Sequence, residues 1–449
     1  MDNCISEGKN SILYDDLNEF FMRLDENFSH IIKQSYNCFY LEPKNNIPEI
    51  IMLLYVIERK LTVYLASEND LSKNEVPNFC DYIISVEKKF TGADLQISIS
   101  KNPKYCDLYF EKLEGESIIF KTSGSTGSPK FICFKVDNLI RNSQLCQQRF
   151  NHKVENKVLI AVPISHMYGL GAGLLPAYLT KSSIRIIDKT NVLSLIENIK
   201  IFQPQISYVT PTLCKMLIKI DKQIKNKSVF ISAGENITGS LLKIFKAKYG
   251  KIINLYGCSE MGAMATSDSN DLKENDLVPL EGVTFKVNEN QDGNDLLCKH
   301  PAAFSHYLNT TENFNQHQKF SQGWFTTGDT GSIKENGNIQ IFGRKGLLIN
   351  RSGFLLSIPL IESKIEEIIN EIRKTVIVKG TDNSMTAVCE LHVDSVIEEN
   401  RIRKLLISKL PRHAVPDKLC IVNEIPLLIN GKPDRMKLND IYKLNNYDN

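Results

Sequence analysis

The sequence predicts an α/β protein with a large N-terminal domain and a smaller C-terminal domain. Between residues 117 and 257, short strand-like runs such as SIIFK, KVLIAVP and KIINLYG alternate with helical patterns such as VLSLIENIKIFQ. This alternation predicts a largely parallel sheet covered by helices on both faces. After residue 346 the pattern changes to a helix (IPLIESKIEEIINEIR), two strands, a helix and a turn-rich tail, which indicates a separate α+β domain.

The predicted boundaries follow these changes of pattern. The first 115 residues mix helix-period segments such as IPEIIMLLYVIERK with short strands such as TVYLAS. Turn-rich segments at about 266–343 predict an antiparallel β unit that closes the large domain. We therefore predict a large domain at 1–343, a hinge at 344–346 and a small, mobile domain at 347–449.

The composition excludes several classes of protein. The chain has 449 residues, of which 42% are hydrophobic and 24% charged, as in ordinary globular proteins with a large core. Its 54 basic and 52 acidic residues leave a net charge of +2, which predicts no nucleic acid partner and no anionic membrane surface. The N-terminus lacks the pattern of a secretory signal and the apolar runs are too short to cross a bilayer, so a cytoplasmic location is predicted.

The cysteines predict neither disulfides nor a zinc site. Eleven are scattered without any Cys-x-x-Cys pair, and several lie in apolar runs such as FICF and KLCIV. This distribution is typical of reduced, buried thiols in a cytosolic protein.

The stretch FKTSGSTGSPKF, at 120–131, predicts a site for a polyphosphate. Its glycines permit unusual backbone conformations, and its hydroxyls and lysine are donors for anions. It is not a P-loop, because Pro129 stands five residues after Gly124, where that pattern has Gly-Lys-Ser/Thr. A flexible Ser/Gly linker is the alternative, but the strand-like run before the stretch and its Pro-Lys closure disfavour a linker. The predicted phosphate contacts are Thr122, Ser123, Gly124, Ser125, Thr126, Gly127 and Lys130.

Five further motifs follow along the chain. They are VPISHMYGLG with His166, YGCSEMG with Glu260, GWFTTGD with Asp329, GRKGLLINRSGF at 343–354, and INGKPDR with Lys432. Each alone has a structural explanation: a lone histidine is commonly structural, an aspartate in TTGDTG suits a turn, and a lysine in a Gly-Pro turn is usually solvated. Loops at the carboxyl ends of parallel strands can converge on one crevice, so the motifs together indicate one site.

In order and approximate spacing, these six motifs resemble the superfamily of adenylate-forming enzymes. This superfamily includes acyl-CoA and aryl-CoA synthetases, adenylation domains of nonribosomal peptide synthetases, and beetle luciferases. The resemblance covers residues from about 45 to 437. It implies a two-step reaction, in which a carboxylate and MgATP give an acyl-adenylate and pyrophosphate, and a thiol then takes the acyl group.

The resemblance also implies roles for individual residues. Glu260 would bind Mg²⁺, the Ser259 hydroxyl would contact the α-phosphate, and Tyr256 would lie against adenine. Asp329 would accept the ribose hydroxyls, and Arg344 would be a second contact to the ribose or the phosphate. Lys432 would join the substrate carboxylate to the α-phosphate. The remaining expected nucleotide contacts are Gly234, Glu235, Gly257 and Cys258. The expected catalytic residues are Lys432, Glu260, His166 and Ser259.

The substrate is predicted to be an uncharged aromatic or aliphatic acid. Amino-acid-activating relatives usually carry an aspartate after the strand that here leads to His166, whereas this chain has the His-x-x-Gly form of acyl- and aryl-CoA synthetases. An α-amino acid is therefore disfavoured. The expected pocket is mostly small or apolar, and is formed by His166, Tyr168, Gly169, Ser232, Ala233, Met261 and Gly262.

The acyl acceptor is predicted to be a pantetheine thiol, with CoA preferred to the phosphopantetheine of a carrier protein. The resemblance implies a hinge at Lys345 and Gly346 and a pantetheine channel beside Gly353. The chain departs from the usual pattern at the hinge, where Gly346 replaces aspartate or lysine, and at Asn350, where lysine is common. Two alternatives stay open: a nucleotide-binding relative without catalysis, and an oxygenase of luciferase type.

Overall fold

The computed structural model describes most of the chain. The described residues are 3–31, 37–67, 76–87, 95–106, 113, 115–122, 130–220, 228–234, 237, 239–267, 276–290, 293–308, 320–351, 354–380, 382–427 and 433–444. They form two compact units. The first comprises Met1–Phe285, Cys298–Phe325 and Glu335–Ile339, and the second comprises Lys286–Leu297, Thr326–Lys334 and Gln340–Asn449. The predicted hinge at 344–346 stays a prediction.

The first unit contains two sheets and most of the helices. Its helices are α1 (Tyr14–Phe28), α2 (Ile47–Glu58), α3 (Val136–Phe150), α4 (Leu175–Leu179), α5 (Val192–Phe202), α6 (Pro211–Lys219) and α7 (Gly239–Lys248), with a π-helix at Tyr168–Leu174. Strands in the first part of the chain are β1 (Cys4–Glu7), β2 (Asn10–Leu13), β3 (Cys38–Leu41), β4 (Thr62–Leu65), β5 (Tyr82–Val86), β6 (Ile97–Lys101), β7 (Ser117–Thr122), β8 (Lys130–Lys135), β9 (Lys157–Ile160), β10 (Ser183–Ile186), β11 (Ile206–Val209), β12 (Val229–Ala233), β13 (Ile252–Cys258), β14 (Gly262–Ser267) and β15 (Asp276–Pro279). They are followed by β16 (Thr284–Asn290), β17 (Gly293–Lys299), β18 (His306–Tyr307), β19 (Phe320–Ser321), β20 (Trp324–Ile333) and β21 (Ile339–Arg344).

The larger sheet of the first unit confirms the predicted parallel core. Its strand order is β15-β14-β13-β12-β11-β9-β10-β1-β2. Strands β13, β12, β11, β9, β10 and β1 run parallel to their neighbours along this path, while β14 is antiparallel to β13. The chain therefore leaves β9, β12 and β13 at the same edge of the sheet.

The second sheet of this unit has the order β18-β8-β7-β4-β3-β5-β6. Strand β7 is parallel to β4 and antiparallel to β8. The predicted phosphate loop is therefore the connection of a β-hairpin, whereas a P-loop connects a strand to a helix. This difference agrees with the sequence argument against a P-loop.

Helix α2 forms the centre of the first unit. Its sequence IPEIIMLLYVIE is apolar on every side, and all its residues from Ile47 to Ile57 are buried. A helix that is hydrophobic all round is expected inside a large core rather than on a surface. The Asn46 side chain accepts a hydrogen bond from the Glu49 amide and Pro48 occupies the first turn, which together define where the helix begins.

The second unit contains the strand path β16-β17-β20-β21, a two-stranded sheet and a three-stranded sheet. The other strands are β22 (Leu348–Arg351), β23 (Phe354–Ser357), β24 (Ile372–Lys379), β25 (Met385–Leu391) and β26 (Lys418–Val422), and the helices are α8 (Ile358–Ile368), α9 (Glu399–Lys409) and α10 (Arg435–Leu444). Strands β22 and β23 form a hairpin, and β25 lies between β24 and β26.

The α+β prediction for this region is correct, but two details differ. The predicted helix IPLIESKIEEIINEIR ends at Ile368, because Ile372 already belongs to β24. The last part of the chain, predicted to be turn-rich, contains β26 and α10. Helix α10 packs Leu438 against Val376 and Val388, so tertiary contacts support a short segment whose own pattern is weak. Among the described residues, no helix combines the length and apolar character needed to cross a membrane.

Candidate active site

Glu260 lies in a tight loop between two strands of the larger sheet. In the hairpin of β13 and β14, Cys258 is opposite Gly262, so residues 259–261, here called the Glu260 loop, connect the strands. A side chain at Gly257 would place Cβ 2.2 Å from the Gly262 carbonyl oxygen, and Gly262 has a φ of +66°. Both positions therefore require glycine for this close, left-handed connection.

The Glu260 side chain is held by Tyr307, a residue that sequence reasoning did not select. The Tyr307 hydroxyl donates a hydrogen bond of 2.8 Å to Glu260 Oε1, and the Phe304 amide donates one of 2.8 Å to the Glu260 carbonyl. Glu260 is only 9% exposed and Tyr307 is 2% exposed. Burial and the adjacent Glu260 charge raise the pKa of Tyr307 far above its usual value, so its hydroxyl stays a donor.

Lys130 lies close to the same tyrosine. Its Nζ is 5.6 Å from the centre of the Tyr307 ring, on the ring face. The strand pairing places Thr122 opposite Lys130, where β7 and β8 meet. Lys130 and Glu260 thus both interact with Tyr307, so the lysine that closes the predicted phosphate loop lies close to Glu260. Of the predicted loop, Ser123, Gly124, Ser125, Thr126 and Gly127 lie outside the described residues.

His166 follows β9 in a segment held by Asn45. The Asn45 side chain donates hydrogen bonds to the carbonyls of Val162 and Ile187, at 2.9 and 3.1 Å, and accepts one of 3.0 Å from the Ile164 amide. His166 itself is exposed, at the start of the π-helical turn. Strand β9 ends at Ile160, so His166 lies in the segment that follows it and its role stays a prediction. Asn45 is a supporting residue that sequence reasoning missed.

Tyr168 is fixed at its hydroxyl end and partly exposed along its ring. The hydroxyl oxygen is 2.7 Å from the Ile231 carbonyl oxygen and 3.0 Å from that of Val209, and it donates its proton to these acceptors. Burial of the hydroxyl raises the pKa of Tyr168 well above its usual value. Ser232 and Ala233 directly follow Ile231 in β12, so the Tyr168 hydroxyl is bound next to two other residues of the predicted pocket.

The other predicted pocket residues have the following environments. Gly169 requires glycine, because an added Cβ would be 2.1 Å from the Pro163 carbonyl oxygen. Met261 in the Glu260 loop and Gly262 directly after it are both buried. Burial raises the pKa of Cys214 to about 12.

Several predicted nucleotide contacts lie on or directly after strands of the larger sheet. Tyr256, Gly257 and Cys258 belong to β13, and Ser259 follows it. The ring centres of Tyr256 and Phe285 are 6.4 Å apart. Gly234 follows β12 with a φ of +97°, and nothing among the described residues lies within 4 Å of an added Cβ there. Glu235 lies outside the described part of the chain.

The second unit contains a separate polar cluster around Asp329. Arg344 Nε lies 3.1 Å from Asp329 Oδ1, and Arg344 Nη1 donates to the Thr327 carbonyl at 2.9 Å. The Asp329 amide donates to Thr327 Oγ1, whose own hydroxyl donates to the Leu296 carbonyl. Asp329 is 7% exposed, so Arg344 holds a nearly buried carboxylate in one orientation. The structure shows that Asp329 and Arg344 form an ion pair, which the sequence did not predict, and it adds Thr327 as a supporting residue.

The predicted hinge residues form a short 3-10 helix at Lys345–Leu347. Lys345 Nζ forms an ion pair with Asp295 Oδ2 at 3.1 Å, and nothing described lies within 4 Å of an added Cβ at Gly346. Lys432 and Gly353, the predicted adenylation lysine and channel residue, lie outside the described residues. Their roles stay predictions.

The chain offers no cage of protein ligands for a metal in the part that is described. No group of three or more His, Cys, Asp or Glu side chains is arranged to hold an ion there. All cysteines are free thiols, and most are buried. Any metal at Glu260 would therefore take most of its ligands from water or from a bound phosphate.

Comparisons with known proteins identify related sequences. A model of the AMP-binding enzyme family matches residues 76–301, half of the chain. The 2-succinylbenzoate–CoA ligase of Bacillus licheniformis is 25% identical over 340 residues, which cover 73% of this chain and 70% of that protein. The 3,4-dihydroxybenzoate–[aryl-carrier protein] ligase of Bacillus anthracis is 22% identical over 431 residues, 94% of this chain and 95% of the other.

Solved structures share the fold over nearly the full chain. The anthranilate CoA ligase AuaEII, in complex with anthranoyl-AMP, superposes with a TM-score of 0.79 at 16% identity and covers 99% of this chain and 95% of that one. The predicted fold class, a large α/β domain followed by a small α+β domain, is thereby confirmed.

Proposed function

Because the chain belongs to the family of AMP-binding enzymes, we propose that it is an AMP-forming acid–thiol ligase for an aromatic carboxylic acid. The family match confirms the predicted class of enzyme. The observation that carries the assignment of its site is the Glu260 loop, where a nearly buried carboxylate lies close to Lys130 through Tyr307. An ATP-dependent reaction needs both signs of charge at one place, a carboxylate to hold a metal and a cation for phosphate oxygens.

In the first step the enzyme uses ATP to activate the acid. A carboxylate oxygen of the substrate forms a bond to the α-phosphorus, the bond from that phosphorus to the bridging oxygen breaks, and pyrophosphate leaves. Lys130 and the hydroxyls of the phosphate loop bind the β- and γ-phosphates, and Ser259 donates to the α-phosphate. Lys432 contributes the cation at the reacting oxygens, where a compact ammonium suits a changing geometry.

The Glu260 environment fits Mg²⁺. This ion prefers carboxylate and phosphate oxygens and keeps several waters, so one protein carboxylate and a nucleotide suffice. The Tyr307 hydroxyl donates a hydrogen bond to Glu260 Oε1 and so fixes the orientation of the carboxylate that would hold the ion. A bound Mg²⁺ would neutralise the charge of the phosphate oxygens.

Asp329 is assigned to the ribose. A carboxylate can accept hydrogen bonds from both ribose hydroxyls. Here Arg344 contacts the Asp329 carboxylate, and Thr327 Oγ1 accepts a hydrogen bond from the Asp329 amide and so holds the backbone at this position. This preorganisation supports the nucleotide role that the sequence predicts.

An aromatic acid is favoured over an aliphatic one by Tyr168. Its hydroxyl is tied to two strand carbonyls, so the ring is a fixed planar surface. Planar rings stack on such surfaces at little cost in conformational entropy. Two curated relatives are also named for aromatic acids, 2-succinylbenzoate and 3,4-dihydroxybenzoate.

In the second step the acyl carbon is attacked by a thiol sulfur, and AMP leaves. The acceptor is CoA or the phosphopantetheine of a carrier protein, and both kinds of acceptor occur in the names of the relatives. We favour CoA. Lys345, Gly346 and Gly353 are assigned to the movement of the small domain and to the pantetheine channel.

Isotope exchange between pyrophosphate and ATP tests the proposal. The purified protein is assayed with a panel of benzoates, cinnamates, straight-chain fatty acids and α-amino acids. We expect exchange that depends on an aromatic acid. Absence of exchange with every acid would contradict the ligase assignment, and exchange with fatty acids alone would contradict the substrate class. Addition of CoA or of a holo carrier protein, with release of AMP as the readout, then identifies the acceptor.

A further inference from the structure

Two asparagines of α3 contact backbone groups near Glu260, one at residues 261–263 and the other at Ala303. Asn142 Nδ2 donates to the Met261 carbonyl at 2.9 Å, and Asn142 Oδ1 accepts from the Ala263 amide at 3.2 Å. One turn earlier, Asn138 Nδ2 donates to the Ala303 carbonyl at 2.8 Å, next to the residue whose amide binds Glu260. Positions four apart lie on the same face of a helix, so one helix face holds both segments.

His300 completes this network in a defined tautomer. The Ala302 amide donates to His300 Nδ1 at 2.9 Å, so that nitrogen carries no proton. His300 Nε2 therefore carries the proton and donates to the Ala263 carbonyl at 2.9 Å. Burial favours the neutral form and lowers the pKa of His300 to about 4. The 3.3 Å contact between Asn142 Nδ2 and His300 Nε2 brings two donors together and is not a hydrogen bond.

These contacts satisfy the hydrogen-bonding groups of the backbone at the end of the Glu260 loop and directly after it. The Met261 carbonyl, the Ala263 amide and the Ala263 carbonyl each have a side-chain partner from Asn142 or His300. The fit is close, since an added Cβ at Gly262 would lie 2.4 Å from Asn142 Nδ2. Asn142 is 1% exposed, so water cannot replace its hydrogen bonds.

The position of α3 gives this network a connection to the phosphate loop. Lys130 begins β8, and β8 ends at Lys135, directly before the helix that carries Asn138 and Asn142. A shift of α3 would therefore be transmitted to both the lysine that closes the loop and the carboxylate.

We propose that Asn142 and His300 are positioning residues that hold the Glu260 loop in the geometry for magnesium–ATP. This inference rests on the proposed role of Glu260. Groups that orient a metal ligand without touching the metal commonly change metal affinity or activity by about 10- to 100-fold when they are removed. The loss of Asn142 should therefore weaken binding of the nucleotide with its metal more than binding of the nucleotide alone.

Isothermal titration calorimetry on the full-length protein tests the proposal, with ATP titrated in excess MgCl₂ and in EDTA. We expect Asn142→Ala to raise the Kd of ATP in MgCl₂ by about 10- to 100-fold, and the Kd in EDTA by at most about threefold. Ser143→Ala is the matched control, because Ser143 is buried on the same helix and its hydroxyl bonds only within the helix, to the Leu139 carbonyl. Ser143→Ala should leave both values unchanged.

A pair of His300 variants keeps the test decisive if Asn142→Ala does not fold. The amide of His300→Gln can still donate to the Ala263 carbonyl, whereas His300→Leu cannot, so only the leucine variant should lose the magnesium-dependent affinity. Equal weakening in MgCl₂ and EDTA, or a magnesium-dependent Kd within threefold of wild type, would overturn the proposal.

The outcomes separate this inference from the proposed function. Wild-type protein that binds magnesium–ATP but exchanges pyrophosphate with no acid refutes the ligase assignment and leaves the positioning role supported. If the wild-type protein exchanges pyrophosphate, but the Kd of ATP in the variants depends on magnesium as it does in wild type, only the positioning role is refuted.

Discussion

At the scale of the residue, the site depends on partners that fix its charged groups. Glu260 has Tyr307, Asp329 has Arg344 and Thr327, and Tyr168 has two backbone carbonyls. Each functional side chain can thus keep one orientation before a ligand arrives. Catalysis by electrostatic stabilisation depends on this preorganisation, because no energy is then spent on reorientation during the reaction.

Removal of the Tyr307 hydroxyl should slow adenylation. Tyr307→Phe keeps the ring beside Lys130 but removes the hydrogen bond to Glu260. A hydrogen bond to a charged group contributes about 1.5–3 kcal/mol, so we expect a loss of about 10- to 100-fold in kcat/KM for ATP in pyrophosphate exchange. Tyr249→Phe is the control, since the Tyr249 hydroxyl is also buried and bonds to the Leu217 carbonyl, away from the site. Equal rates for Tyr307→Phe and wild type would remove Tyr307 from the account.

Replacement of the Tyr168 ring should change selectivity between acids. Tyr168→Leu removes the planar surface, and an aromatic pair contributes about 0.5–1.5 kcal/mol beyond burial. We expect the ratio of kcat/KM for benzoate to that for hexanoate to fall about three- to tenfold. Tyr178→Leu is the matched control, because Tyr178 is also partly buried and its hydroxyl bonds to Glu58. A proportional loss for both acids would show that Tyr168 only supports the structure.

At the scale of the element, the β13–β14 hairpin places Glu260. The hairpin is closed by Gly257 against Gly262, and it is held from one side by α3. Sequence reasoning selected YGCSEMG for its functional side chains. The structure adds that the backbones at Gly257 and Gly262 of this motif lie so close that Gly257 has no room for a side chain.

A methyl group at Gly257 should disrupt this hairpin. Its Cβ would be 2.2 Å from a backbone oxygen, which cannot move away as a flexible side chain could. Overpacking of this kind costs about 1–3 kcal/mol, so we expect Gly257→Ala to lower the free energy of unfolding by that amount and to abolish exchange. Gly173→Ala is the control, because its Cβ would meet the Tyr208 ring at an ordinary 3.5 Å. Urea denaturation measures both, and a fully stable, active Gly257→Ala would contradict the described hairpin.

The sequence predicted elements well where local pattern and tertiary structure agree. Alternating strands and helices indicated the parallel core, and the helix-period segment IPEIIMLLYVIERK indicated α2. Strand β26 and helix α10 were missed because KLCIV and RMKLNDIYKL are short and depend on packing against β24 and β25. Likewise, Asn45, Asn142 and Tyr307 were missed because their partners lie more than 40 residues away, and a single sequence does not report such pairs.

At the scale of the whole molecule, two histidines link stability to pH: His152, which is buried, and His300, which is half-buried. Burial lowers the pKa values of His152 and His300 to about 4, below the value of about 6.5 expected in the unfolded chain. The unfolded state therefore binds more protons between these values. The stability that depends on the neutral histidines is fully present above about pH 6.5 and is lost as the pH falls towards 4.

We expect the free energy of unfolding to fall by about 1–2 kcal/mol for each of His152 and His300 between about pH 7 and pH 5. Urea denaturation at the two pH values measures the change. The decrease should be smaller in His152→Phe than in wild type, whereas the exposed His30→Gln should not alter it. The same decrease in all three proteins would show that other groups cause the pH dependence.

The central claim about the whole molecule is that the acid is activated as an acyl-adenylate. The most direct measurement uses the aromatic acid that supports exchange, labelled with oxygen-18 in its carboxylate, together with ATP and the thiol acceptor. Attack of the carboxylate on the α-phosphorus predicts that one labelled oxygen is recovered in AMP after the acyl group leaves. Label recovered in inorganic phosphate, with ADP as the other product, would contradict the account.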